Sequence, residues 1–328
     1  MREPEGGHLA VRRAAGFLDR SCRGRFVLAG KDRLEFLHGL LTNDIRGLPE
    51  WQGAESLLLT PKGKVIATMV VYRRPGDFLI DCPEEARVAL LSRLSMYVLS
   101  SEVTIDDVTA TSAILSIHGP RAADVLRLVA GAASPAGLLE LRPLVLREAE
   151  GFAARVDWYG DEGFDVFLPA SAAPAVAASL AAAGARPVGP AAGETLRIEA
   201  GRARFGVEID ETTLPAEVPA LLERTISFTK GCFVGQETVA RIRTYGHVNR
   251  ELRGLIVEGE APPDPGAPVR VAGKAAGIVT SSCVPPTLGF PIALAMLGRS
   301  CLEPGTLADT DAGGRVVKAR VALPGVWR

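Results

Sequence analysis

Apolar positions in the first hundred residues change period several times. Phe26–Ala29 reads as a short strand. Behind it, Asp32 and Glu35 make a box-like helix start, and Leu34, Leu37, Leu40 and Leu41 recur at helical spacing. Ser56–Leu59 and Val65–Tyr72 read as strands around a Pro61-Lys62-Gly63 turn. Arg74-Pro75-Gly76 then turns the chain into a partner strand at Asp77–Asp81. Pro83 suits the first residue of a helix running to Val98, and Glu102–Ile105 returns as a strand. The order then repeats loosely: a strand at Ala113–Ile117, a helix from Pro120 to Val129, a hairpin of Arg155–Tyr159 and Phe164–Phe167, and a helix over Ala172–Ala183 with Ser171 placed to cap it. After Asn249 the pattern changes to short strands between Pro- and Gly-rich turns such as Pro262-Pro263-Asp264-Pro265-Gly266, which reads as a small all-β barrel. The expected fold class is α+β. A leading arm spans 1–24, two similar α+β units with a signature segment occupy 25–248, and a β-barrel fills 249–328.

Composition narrows the function more than the fold. The chain has 328 residues, 47% hydrophobic and 23% charged, enough for two or three domains with their own cores. A net charge of −1 gives no reason to expect a nucleic-acid partner or an acidic membrane surface. No apolar run has transmembrane length and the N-terminus lacks a signal-like core, so a reducing cytoplasm is the expected compartment. The five cysteines (22, 82, 232, 283, 301) are scattered without CxxC spacing, and His8, His38, His118 and His247 make no metal-ligand spacing. A disulfide framework or a metal site is not expected.

The segment from Lys230 to Arg241 carries the most chemistry. Gly231 and Gly235 bracket Cys232, so the backbone there can turn sharply or admit a ligand. From Gln236 onward the spacing of Val239 and Ile242 is helical, with Glu237 and Arg241 four apart in the favourable order for a surface pair. Cys232 therefore precedes a helix N-terminus with Lys230 beside it, and both neighbours favour a thiolate. A plain packing role for the thiol is the competing reading.

This segment also resembles the signature of the YgfZ family of folate-binding proteins, Lys-Gly-Cys-aromatic-x-Gly-Gln-Glu-x-x-x-Arg. Lys230, Gly231, Cys232, Phe233, Gly235, Gln236, Glu237 and Arg241 match every fixed position. That family is a branch of the larger group built like the glycine-cleavage T-protein, an aminomethyltransferase that uses tetrahydrofolate. Leu28–Asp32 with Thr42-Asn43-Asp44, Leu59–Lys64, His118–Ala122, Leu196–Gly201 and Arg204-Phe205-Gly206 extend the likeness over most of the chain.

The resemblance implies a folate cavity. A pterin presents two adjacent N–H donors that one carboxylate can accept. The aligned choice is Asp161 in the Gly160–Gly163 turn, with Glu162 as neighbour; read alone, that turn is a solvated hairpin tip. Arg197 is implied for the anionic tail of folate, against a pair with Glu194 or Glu199 on its own segment. Asn43 and Asp44 are implied contacts, against a capping turn. One departure matters. Ala67 and Thr68 stand where the T-protein has acidic residues, one of which works at folate N10. The implied role is a tetrahydrofolate-binding accessory factor for assembly or repair of iron–sulfur proteins, and thereby tRNA modification. It would act through Cys232, with those proteins or their assembly machinery as partners. The alternatives are an aminomethyltransferase using tetrahydrofolate and a non-catalytic scaffold.

Overall fold

The structure is a computed structural model and describes residues 3–98 and 101–327. Helix α1 (Glu3–Arg13) leads into strand β1 (Gly16–Asp19), then β2 (Gly24–Ala29), α2 (Arg33–Leu40), β3 (Gln52–Leu59), β4 (Val65–Arg74), β5 (Asp77–Cys82), α3 (Glu84–Tyr97) and β6 (Thr104–Asp107). The second stretch holds β7 (Ser112–His118), α4 (Ala122–Ala130), β8 (Leu141–Leu146), β9 (Ala149–Val156), β10 (Gly163–Pro169), α5 (Ala173–Ala182), β11 (Arg186–Pro187) and α6 (Pro190–Glu199). Two short helices, α7 (Pro219–Thr225) and α8 (Gln236–Tyr245), precede the strands β12 (Arg250–Val257), β13 (Pro268–Val271), β14 (Lys274–Cys283), β15 (Ile292–Gly298), β16 (Leu307–Ala312) and β17 (Arg315–Ala322).

Two open sheets and one barrel result. The first sheet runs β3-β4-β5-β2-β6, the second β11-β1-β7-β10-β9-β8, and β12–β17 close into a barrel. The α+β class and the C-terminal barrel stand as expected. The leading arm does not. Phe17 and Leu18 on β1 are buried, Val11 on α1 is sealed, and β1 lies inside the second sheet between β11 and β7. Apolar residues at both positions left this segment nowhere to go but a core. The two units therefore interleave rather than follow one another.

The sheets pack face to face through Val70, Tyr72 and Leu79 on one side and Ile114, Leu141, Ala154, Val156 and Phe167 on the other. The opposite face of the first sheet packs on α3, where Met69, Val71 and Ile80 meet Ala86, Leu90 and Leu94. A β-bulge between Leu58 and Leu59 shifts the register at the start of β4. Thr68 pairs with Leu57 and Val70 with Glu55, so Thr68 and Glu55 share the face turned toward the second unit, while Ala67 is sealed on the other.

Candidate functional site

The Gly160–Gly163 turn divides two polar regions. On its outer side, a cavity of about 540 Å³ is lined by Arg12, Tyr159, Asp161, Glu199, Thr287 and Trp327 among others. Arg12 donates to Asp161, to Tyr159 O at 2.8 Å and to Glu199 at 2.7 and 2.9 Å. Glu199 also meets His8 Nε2 at 2.8 Å and accepts from Thr287 at 2.6 Å. Burial would raise the Glu199 carboxyl, but His8, Thr287 and Arg12 outweigh it and hold it down at about 2. Asp161 thus sits on a cavity wall, tied to an arginine. Glu162 points elsewhere and pairs with Arg155 at 3.3 Å.

On the inner side, where the two units and α7 meet, charged side chains form a continuous chain. Arg224 on α7 donates to Glu55 and to both oxygens of Asp157 at 2.9 Å. Arg202 donates to Asp157 and stands 3.8 Å from Glu55. Two guanidiniums face two carboxylates, so the set is neutral. Trp158 has Arg20 on its ring at 5.3 Å and Arg202 at 5.6 Å, both within cation–π range. Asn43 joins from the first unit, its Nδ2 donating to Glu55 O at 2.8 Å and Arg224 O at 3.3 Å. Asp44 turns away and accepts from the Gly47 amide. Asp157, Arg224 and Arg202 side chains keep 35%, 27% and 21% of their surface, so solvent reaches the junction.

Below this chain lies a sealed polar nest. Asp165 accepts from Arg20 at 3.0 and 3.1 Å, from Trp158 Nε1 at 2.8 Å and from Ser116 Oγ. Ser116 spends its one proton on Asp165, so His118, 2.7 Å away at Nε2, carries its ring proton there. Among the described residues, His118 Nδ1 and the Tyr72 hydroxyl have no partner, although both are buried. Gly163 makes room for the imidazole: a Cβ there would stand 2.0 Å from Nδ1. Burial drives the His118 pKa down to about 3.

Sequence reasoning missed this nest and the junction. The signal for Asp165 is an acid inside the apolar run Gly163–Pro169. Arg20, Arg202 and Arg224 carried none beyond their type.

Arg197 does not face a cavity. Its guanidinium donates to Glu194 at 2.6 and 3.0 Å, to Glu208 at 3.1 Å, to Arg202 O at 2.5 Å and to Ser281 at 2.7 Å. All five N–H groups are spent, which leaves none for a folate carboxylate. This is the pairing with Glu194 on its own segment, extended to Glu208 and Ser281.

The signature segment serves as a latch. Gly235 caps α8 with φ 84°, and a Cβ there would stand 2.6 Å from Thr60 O and 3.2 Å from the Cα of Gly63. The glycines at 63 and 235 thus let the β3–β4 turn and the α8 N-terminus meet backbone to backbone. Lys230 is buried, with Nζ donating to His38 O and Leu41 O at 2.5 Å at the end of α2 and lying 5.3 Å over the Phe233 ring. Burial lowers its pKa to about 8, Arg46 adding to this and Asp44 opposing. The ammonium therefore anchors the loop instead of facing the thiol. Gly231 is exposed with open space around it, Gln236 is half-buried, and Glu237 and Arg241 lie exposed on α8.

Cys232 is exposed three residues before the α8 cap and lines neither the outer cavity nor the junction. It is not alone in its exposure, since Cys22 is exposed too. Cys82 and Cys283 are buried, and burial pushes both thiols up to about 12. Native protein at neutral pH is expected to release colour from a disulfide reagent for two thiols, Cys22 and Cys232, and for five after unfolding. A single rapid thiol would restore the expectation that Cys232 is singled out.

Comparison with known proteins now decides the family. Residues 4–230 match the GCVT N-terminal domain, and 250–326 match the glycine cleavage T-protein C-terminal barrel domain. The chain belongs to the glycine-cleavage T-protein family. It is 36% identical to an aminomethyltransferase from Rubrobacter xylanophilus across 88% of this chain and 77% of that protein. An aminomethyltransferase from Nostoc is 33% identical, covering 98% and 87% of the two chains. The crystal structure of glycine cleavage system aminomethyltransferase T from Bartonella henselae superposes with a TM-score of 0.89 at 25% identity, over 99% of this chain and 90% of that one. Tetrahydrofolate is the cofactor of this family. The expected iron–sulfur accessory role is overturned: relatives matched over most of their length are aminomethyltransferases, and the structure matches aminomethyltransferase T. No described helix is long and apolar enough to cross a membrane.

Proposed function

We propose that this protein transfers an aminomethyl carbon to tetrahydrofolate at the junction between its two α+β units. The relatedness to aminomethyltransferases over nearly the whole chain carries this reading. The junction residues support it. Asp157 offers a carboxylate suited to the paired N–H donors of a pterin, Trp158 offers a ring to stack on, and Arg202 and Arg224 suit an anionic tail. Solvent access among otherwise satisfied charges allows a ligand to exchange with them without leaving a bare buried charge. Tetrahydrofolate supplies the two nitrogens that take up the carbon. The protein's part is to hold the ligand, keep its charges satisfied and place a carboxylate by the reacting carbon. Within the family, the Lys230–Arg241 segment supports a place beside the YgfZ branch, as a statement of descent rather than of role.

The test uses the full chain with S-aminomethyl dihydrolipoamide and tetrahydrofolate. Ammonia release that depends on both is expected, and Arg224→Met should weaken folate binding by roughly tenfold or more, the scale of one charge-assisted hydrogen bond. Absence of turnover with a carrier that a known aminomethyltransferase accepts would overturn the reading.

A further inference from the structure

The family's carboxylate is missing at the expected place, since Ala67 and Thr68 occupy it. Their two side chains are not equivalent. Ala67 is sealed against the α3 side of the sheet, whereas Thr68 is half-buried on the face turned to the junction. On that same face, one strand over, stands Glu55. It pairs with Val70, two residues along from Thr68, so it is the diagonal neighbour of Thr68 across the β3–β4 ladder. Diagonal neighbours on one face lie about 7–8 Å apart, within reach of a long side chain.

The Glu55 carboxylate is held on one side only. Both hydrogen bonds from Arg224 fall on Oε1, and Arg202 approaches that same oxygen. Oε2 accepts no hydrogen bond among the described residues and is not a sealed atom, for it is absent from the buried unpartnered groups. Asp157, the other carboxylate of the junction, differs: both its oxygens are taken by arginine. Oε1 is thus fixed by arginine, while Oε2 has no hydrogen-bond partner among the described residues and is not sealed.

We infer that Glu55, through Oε2, supplies from the neighbouring strand the carboxylate that positions 67 and 68 lack. This rests on the aminomethyl-transfer reading and names the group that makes it workable. The exchange balances without a redox partner. The carbon–sulfur and carbon–nitrogen bonds of the donor break, and two carbon–nitrogen bonds to folate form. The two displaced protons leave on the thiol and on ammonium. Positive charge gathers at the travelling carbon, and a fixed carboxylate beside it lowers that barrier. Arg224 holds the Glu55 carboxylate in place through Oε1, so no reorganisation is needed when the charge appears.

Two readouts separate this inference from the reading beneath it. The first is turnover: Glu55→Gln should reduce kcat by about a hundredfold or more, the usual reach of a positioned acid–base or charged group. The second needs no turnover. 5,10-Methenyltetrahydrofolate carries a fixed positive charge at the relevant carbon and 5-formyltetrahydrofolate does not. Wild type should prefer the cation, and Glu55→Gln should lower that preference by roughly tenfold while leaving 5-formyl binding and the melting temperature near wild type. Adding Thr68→Asp to Glu55→Gln should return part of both. If the amide disturbs folding, Glu55→Asp keeps the charge beside Arg224 but withdraws it by one methylene, and it should show the same pattern in weaker form. A Glu55→Gln protein with wild-type turnover and unchanged cation preference overturns the inference. A wild type without turnover but with a Glu55-dependent preference sinks the transferase reading and keeps the placement of Glu55. A wild type with neither turnover nor a preference for the cation sinks both.

Discussion

Arg197→Ala is expected to cost about 3–5 kcal/mol of stability, the scale for breaking a buried ion pair from one side. The loss has a clear source. Glu208 is fully buried and, among the described residues, has only Arg197, Ser281 and the Arg204 amide to answer its charge. Ser281 lies on β14, so the same guanidinium ties α6 to the barrel. Denaturant unfolding of wild type and variant would measure the loss, with the barrel and the two sheets separating into distinct transitions if the tie is what couples them. Folate affinity of the folded fraction should be unchanged, because no donor of Arg197 is free. A variant of wild-type stability with weakened folate binding would return Arg197 to the ligand site.

Acid should unfold the protein through the Ser116–His118–Asp165 nest. His118 has a folded pKa near 3 against about 6.5 for an unfolded histidine. The unfolded chain therefore takes up a proton that the native state refuses. Stability from His118 is fully present above about pH 6.5 and is lost as pH falls from there toward 3, by an amount on the order of a few kcal/mol. Burial alone would raise the Asp165 carboxyl, yet Arg20, Ser116, His118 and Trp158 together hold it below the ordinary carboxylate range. Its contribution is present above about pH 4 and is lost only below that. The two therefore act in sequence. Melting temperature should fall between pH 6.5 and 4 in wild type and be flatter over that window in His118→Gln, which keeps a donor for Ser116. An equally steep fall in the variant would place the acid sensitivity elsewhere.

What could be read from the chain follows the range of the interaction. The barrel shows in short strands between Gly and Pro turns, because each strand pairs with neighbours close in sequence or closes a ring of them. The β3–β4 hairpin shows for the same reason. The junction could not be read, since Arg224 meets residues 169 and 67 positions away and no local pattern encodes such a meeting. Glu55 fell just outside a strand read as starting at Ser56, so its shared face with Thr68 went unseen. Arg197 was legible in one of its two readings, the pair with its near neighbour Glu194. At Lys230 the adjacency in sequence to Cys232 was misleading. A long side chain with buried carbonyls in reach turns to them, because an ammonium is too costly to bury unanswered.

The placement of β1 sets an order on synthesis. The strand completed among the first twenty residues lies between partners near residues 115 and 187, so it leaves the ribosome long before either can receive it. The first sheet draws on residues 24–107 alone and can close early. The second must hold its opening strand in waiting until β7 emerges to pair with one edge, and its other edge is covered only when β11 arrives near residue 187. A nascent chain halted before that point would carry one finished sheet and an unsheltered apolar leader, which is the species a chaperone would meet.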